Sequence, residues 1–149
     1  LEIRSEVYSF QATSDDSVPI KKMSKDISEK DRVGVLGILS STPGNDTTDY
    51  VTLEAIDRNI DEDTVKKIES GELKKIVIVF TDGESGDVGS VRNKLDLLRK
   101  KGIVVVGVGI TKDGTSALKT YSPDAKLAEK TEDLPVVVSD LLKEHLQDL

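Results

Sequence analysis

The run Ile76-Val77-Ile78-Val79-Phe80 leads directly into Thr81-Asp82-Gly83. Five consecutive apolar residues, four of them Ile or Val, suit a strand buried on both faces of a parallel sheet. The polar end of such a strand falls at the carboxyl edge of the sheet, where open α/β folds bind their ligands. An aspartate followed by glycine at that edge can hold a cation, accept a phosphoryl group or simply turn the chain. A second run, Ile103 to Ile110 (I-V-V-V-G-V-G-I), has the same buried character.

The segments around these strands alternate in period. Val88, Val91, Leu95 and Leu98 recur at helical spacing, Arg99 to Lys101 suit the negative end of that helix, and Gly102 stops it. Leu53, Ile56 and Ile60 share the face of an earlier helix that Thr48 or Asp49 can cap. Asp61 to Ser70 makes a short helix ended by Gly71. Thr115 to Thr120 predicts another, and Ala125 to Ala128 a short edge strand. Asp133 is expected to cap a final helix with Pro135 in its first turn and Val137, Leu141, Leu142 and Leu146 on its inner face. Upstream, Leu1 to Phe10 reads as a strand, and Pro19 to Ser28 as a loop with a short helix carrying Ile20, Met23 and Ile27. Val33 to Leu39 reads as helix despite Gly34 and Gly37. Strands alternating with helices define an α/β fold, a doubly wound, mostly parallel sheet with right-handed crossovers. At 149 residues it makes a single domain, 1–149.

Composition narrows the chemistry. Aromatic residues are 3% and Trp is absent, so the core has to be aliphatic. The absence of Cys removes disulfides, thiolate chemistry and cysteine-bound zinc, and the single His145 cannot build a histidine metal cluster. A net charge of −7 argues against a nucleic-acid footprint, which needs a basic face. No apolar run reaches the length of a membrane span and no signal peptide is present, which leads to an expectation of cytoplasmic location. A first residue of Leu fits a fragment or a processed product.

Several site chemistries fail on spacing. Gly107 and Gly109 give G-x-G without the third glycine of a dinucleotide site, and they fit better as points where the strand end packs against a helix or loop. No Walker A motif occurs, and Phe80 stands where a haloacid-dehalogenase-type phosphatase would want an aspartate. A receiver-like phosphoacceptor role for Asp82 would want an acidic pair and a lysine; Lys112 can serve, but Asp15 and Asp16 sit in a poor context. No Ser/His/Asp set is credible with one His near the chain's end. What remains is a cation held by hydroxyl and carboxylate oxygens from two loops, Asn45-Asp46-Thr47-Thr48-Asp49 and Thr81-Asp82-Gly83-Glu84-Ser85. Hard oxygen ligands suit Mg²⁺ or Mn²⁺. Plainer readings stand beside this one. Thr47 and Thr48 serve equally as helix caps, Glu84, Ser85 and Asp87 as a solvated loop, and Tyr8, Tyr50 and Tyr121 as packing residues with a wet hydroxyl.

Thr81-Asp82-Gly83, the later Gly102-Ile103 and the Gly107-Val108-Gly109 strand resemble the von Willebrand factor type A (vWA) domain. Asn45 to Leu53 is similar to that family's G-G-T-x-[TD]-x-x-x-L segment with both glycines replaced, and Asp49 looks most like the bacterial cobaltochelatase-associated branch. The resemblance covers about the whole chain and implies a Rossmann-like fold carrying a metal-ion-dependent adhesion site (MIDAS). Carried over, Thr47 is the hydroxyl ligand (Thr48 if the register slips by one) and Asp82 the carboxylate; Asp49, Glu84 and Ser85 become outer groups around the ion.

One part of the pattern is missing. The family's site opens with D-x-S-x-S at the end of its first strand, and Ser14-Asp15-Asp16-Ser17 has neither that spacing nor that context. The expectation is a vWA-like domain truncated on its N-terminal side, lacking its first strand. Binding of Mg²⁺ or Mn²⁺ would then be weak or absent in this chain alone. The strand over 1–10 would pair directly with 76–81, or another polypeptide would fill the gap, as a missing segment or a second copy in a homodimer. The functional expectation is a non-enzymatic protein-interaction module, its partner a protein, one candidate being an ATPase-containing complex. The alternatives are a phosphoryl-transfer domain using Asp82 and a metal-free assembly piece of a larger complex.

Overall fold

The computed structural model describes residues 4–9, 18–24, 26, 28, 49–82 and 85–147. Two strands, β1 (Ser5–Ser9) and β2 (Val18–Ser24), precede the helices α1 (Asp49–Arg58) and α2 (Glu62–Glu69). Strand β3 (Ile76–Thr81), α3 (Val88–Lys100), β4 (Val104–Ile110), α4 (Thr115–Thr120), β5 (Ala125–Ala128) and α5 (Leu134–Leu146) follow. Short 3₁₀ turns at Lys112–Gly114 and Thr131–Asp133 lead into α4 and α5.

Strands β3, β4 and β5 form a parallel sheet in that order, with Ile76 opposite Val104 and Thr81 opposite Gly109. Gly107 lies opposite Ala125 and Ile110 opposite Ala128 on the other side of β4. The strands point the same way, so Asp82, Thr111 and Glu129 all leave the sheet at its carboxyl edge.

Alternation along the strands divides the core in two. Val77, Val79 and Val105 join Leu53, Ile56, Val91, Leu95, Leu98, Ala117 and Tyr121 on the face covered by α1, α3 and α4. Ile78, Val106 and Val108 meet Leu134, Val137 and Leu141 of α5 on the other. Burial of β4 on both faces is why it reads as an unbroken apolar run. Each fully buried Leu or Val contributes about 1.5–3 kcal/mol relative to exposure. The aliphatic composition thus suffices for both layers.

Helix ends follow local chemistry. Asp61 and Asp87 accept hydrogen bonds from the amides of Thr64 (2.8 Å) and Ser90 (2.9 Å), and the side-chain hydroxyls of Thr64 and Ser90 first, then these amides, lower the pKa of both carboxyls. Helix α3 therefore starts at Val88, directly after the Asp87 cap. Gly71 and Gly102 take positive φ (77° and 76°) just past the ends of α2 and α3.

Three expectations need correction. Pro19 to Ser24 is not loop and helix but part of β2, antiparallel to β1, with Pro19 opposite Tyr8. In a two-stranded ribbon every strand is an edge, where proline is tolerated, and pairing with β1 outweighs the weak helical spacing. Asp133 occupies the N-cap position of α5, but its side chain makes no capping bond. Its backbone is already helical (φ −80°, ψ −16°), continuing the preceding 3₁₀ turn, rather than extended as a capping residue requires. Strand β1 pairs with β2, and among the described residues no ladder joins it to β3. Val33 to Leu39 lies outside the described residues.

Candidate functional site

The carboxyl edge is shaped by close backbone approaches. A Cβ on Gly109 would come within 2.1 Å of the Gly114 carbonyl oxygen, so the turn after β4 folds directly onto the strand end. Thr111, which begins that turn, has φ 62° and ψ −177° and donates its amide to the Ala128 carbonyl at 2.8 Å. This backbone region is almost exclusive to glycine, so a β-branched residue there stores strain beside the edge.

Asp82 leaves β3 at this edge and is exposed; among the described residues its carboxylate has no hydrogen-bond partner. Three residues on, Ser85 turns inward. Its hydroxyl donates to Asp49 Oδ2 at 2.6 Å, and both side chains are buried. The loop after β3 is thereby tied to the first residue of α1. Asp49 Oδ1 accepts the amide of Tyr50 at 3.1 Å, and Asp49 Oδ2 accepts a second hydroxyl, a short bond from Tyr121. An uncompensated buried carboxylate is costly, and these donors offset its loss of water.

Tyr121 follows α4 and is wholly buried, which corrects the expectation of a wet hydroxyl. Its ring lies against Gly107, its amide bonds Ala117 O at 2.9 Å, and its carbonyl accepts Arg99 Nη2 at 2.9 Å. Burial first, then the Asp49 charge and the hydrogen bond to it, push the Tyr121 hydroxyl far above its ordinary value of 10.0. It is a permanent proton donor at physiological pH. Nothing in the sequence flagged this role. The available signal was Tyr121 four residues after Ala117 on an apolar helical stripe, with a glycine inside a buried strand as its counterpart.

Among the predicted site residues, Asp49 and Ser85 are brought into contact and Asp82 stands exposed on the same loop as Ser85. Thr47, Thr48 and Glu84 lie outside the described residues, as do Asp15 and Asp16. Asp82 has the hard oxygen chemistry that fits a divalent cation. Asp49 and Ser85 are hydrogen-bonded to each other beneath the surface, which ties the segment after β3 to α1. Among the described residues no cluster of three or more His, Cys, Asp or Glu is placed to hold a metal. No helix among the described residues is long and apolar enough to cross a membrane.

Among the described residues, a three-stranded parallel sheet between helices, with Thr81 and Asp82 at its carboxyl edge, defines a Rossmann-like α/β domain. The von Willebrand factor type A domain matches residues 3–143, and the chain belongs to that family of protein-interaction modules. Among solved structures, proximal thread matrix protein 1 from the mussel byssus matches with a TM-score of 0.67 at 20% identity, over 95% of this chain and 35% of that one. The same protein with a zinc-occupied MIDAS motif matches with a TM-score of 0.65 at 22% identity, over 94% and 34%. At these identities the likeness is one of fold, and the chain spans about a third of those chains' length. No curated protein matches the chain.

Proposed function

We propose that the chain is a non-enzymatic interaction module whose binding face is the carboxyl edge around Asp82, with a partial MIDAS there. Asp82 supplies the carboxylate and Thr47, or Thr48, the hydroxyl for a weakly held Mg²⁺ or Mn²⁺. A carboxylate of a protein partner, or a second copy of this chain, completes the coordination that these few ligands leave open. The observation that carries this reading is the buried Ser85–Asp49 hydrogen bond. It joins the segment that follows Asp82 to the first residue of α1, two positions after Thr47 in the sequence.

Calorimetric titration with Mg²⁺, Mn²⁺ and Zn²⁺ tests the metal; zinc is included because a structural neighbour carries it. Weak binding by the wild type that disappears in Asp82→Ala is the expected result. Saturable binding that survives Asp82→Ala would place the ion elsewhere. No binding by the wild type would favour the metal-free assembly piece.

A further inference from the structure

We infer that Tyr121 is a positioning residue for the Asp82 loop, acting through Asp49 and Ser85 from outside both candidate ligand loops. This rests on the reading of Asp82 as a metal ligand only for its metal arm; the mechanical coupling stands on the contacts themselves.

Three observations carry it. The Tyr121 hydroxyl and the Ser85 hydroxyl donate to the same oxygen, Asp49 Oδ2, so the carboxylate bridges residues 36 positions apart on one side and 72 on the other. Tyr121 has no room to follow a moving loop. Its ring fills the space that a side chain on Gly107 would need, and Ala117 and Arg99 hold its main chain from both sides. Gly107 in turn lies in the central strand of the sheet, opposite Val79 of β3 and Ala125 of β5. A rigid path therefore runs from the sheet through Tyr121 and Asp49 to Ser85. Asp82 is fixed at one end by β3 and on the far side of its loop by Ser85. A loop pinned at both ends presents its carboxylate with less ordering entropy to lose on binding.

The path adds to the tethers that β3 and the Asp87 cap of α3 already give this loop. The path also distinguishes Asp49 from the helix-capping role its position suggests. Among the described residues its Oδ1 accepts the adjacent Tyr50 amide, while Oδ2 accepts the two hydroxyls.

The test uses the full chain, Tyr121→Phe, which keeps the ring against Gly107 and removes only the hydroxyl, and Ser85→Ala as an independent cut of the same path. Backbone amide exchange is read without metal, and Mn²⁺ affinity is read by electron paramagnetic resonance. Exchange at residues 85–87 should rise about tenfold in both variants, while Val105 and Val106 in β4 keep their protection. Mn²⁺ should bind at least about fivefold more weakly in both, with Asp82 intact. Unchanged exchange at 85–87 in Tyr121→Phe would overturn the inference, and so would a uniform loosening of β4 and the loop together. If wild-type chain binds no Mn²⁺, the metal reading falls and the exchange pattern alone decides the coupling.

Discussion

The Tyr121 ring occupies the space directly over Gly107: a Cβ built on Gly107 would come within 2.4 Å of Tyr121 Cγ. Neither partner can yield. Tyr121 is fully buried and Gly107 is paired on both sides within the sheet. Gly107→Ala should therefore destabilise the fold by about 3 kcal/mol, at the high end for an overpacked core. Urea denaturation of the variant measures it. A cost near zero would mean that the ring can slide, and the path through Asp49 would lose its anchor.

Alkaline pH should weaken the chain through Tyr121. In the unfolded state its hydroxyl ionises near 10.0, whereas in the folded state burial and the Asp49 charge keep it protonated well above that. A folded pKa above the unfolded one stabilises fully below the unfolded value. That stabilisation is lost as pH rises through the interval between them. Wild-type stability should thus fall by about 1.4 kcal/mol per pH unit above pH 10 relative to Tyr121→Phe. The lysines and the other tyrosines contribute equally to both proteins and cancel in the difference. Parallel denaturation curves from pH 9 to 11.5 give that slope directly, and equal slopes would show that Tyr121 titrates normally.

Much of this architecture was legible because burial writes itself into aliphatic runs. Ile76 to Thr81 and Val104 to Ile110 are strands and the Val91-Leu95-Leu98 stripe is the buried face of α3, but of the two strands only β4 is buried on both faces: β3 is largely half-buried and its Phe80 is exposed, against the expectation for that run. Gly71 and Gly102 marked helix ends through their left-handed backbones. Strand β2 was not legible. Val18-Pro19-Ile20-Lys21-Lys22-Met23 carries no clean alternation, and a proline inside the run speaks against a strand by local pattern. At the site, Asp82 and Ser85 stood out by adjacency to a buried strand. Tyr121 did not, because a hydroxyl that meets a carboxylate 72 positions away has no local pattern. The fate of Thr47 and Thr48 belongs to residues outside the described set.

Thr52 has a buried hydroxyl with no hydrogen-bond partner among the described residues, on the first turns of α1 beside Leu53. A buried donor left unsatisfied costs about 1–3 kcal/mol. Thr52→Val keeps the branched shape and removes the polar atom, so it should stabilise the chain by about 1 kcal/mol in thermal or chemical denaturation. Loss of stability instead would reveal a water or chain group satisfying that hydroxyl.

Thr111 offers the complementary case, where strain rather than burial is the cost. Its φ of 62° with an extended ψ of −177° lies where only glycine is comfortable, and its amide is needed by the Ala128 carbonyl at 2.8 Å. Such residues store about 1–3 kcal/mol. Replacement by glycine keeps the amide and relieves the Cβ clash, against about 0.5–1 kcal/mol of added unfolded-state entropy. Thr111→Gly should accordingly leave a net gain of about 1 kcal/mol. The same substitution removes a hydroxyl at the carboxyl edge, so its effect on Mn²⁺ binding separates two roles. Higher stability with unchanged Mn²⁺ affinity makes the strain a by-product of folding the turn onto Gly109. Higher stability with weaker Mn²⁺ binding makes it a stored cost of holding a ligand-facing conformation. A lower stability would contradict the left-handed backbone at this position.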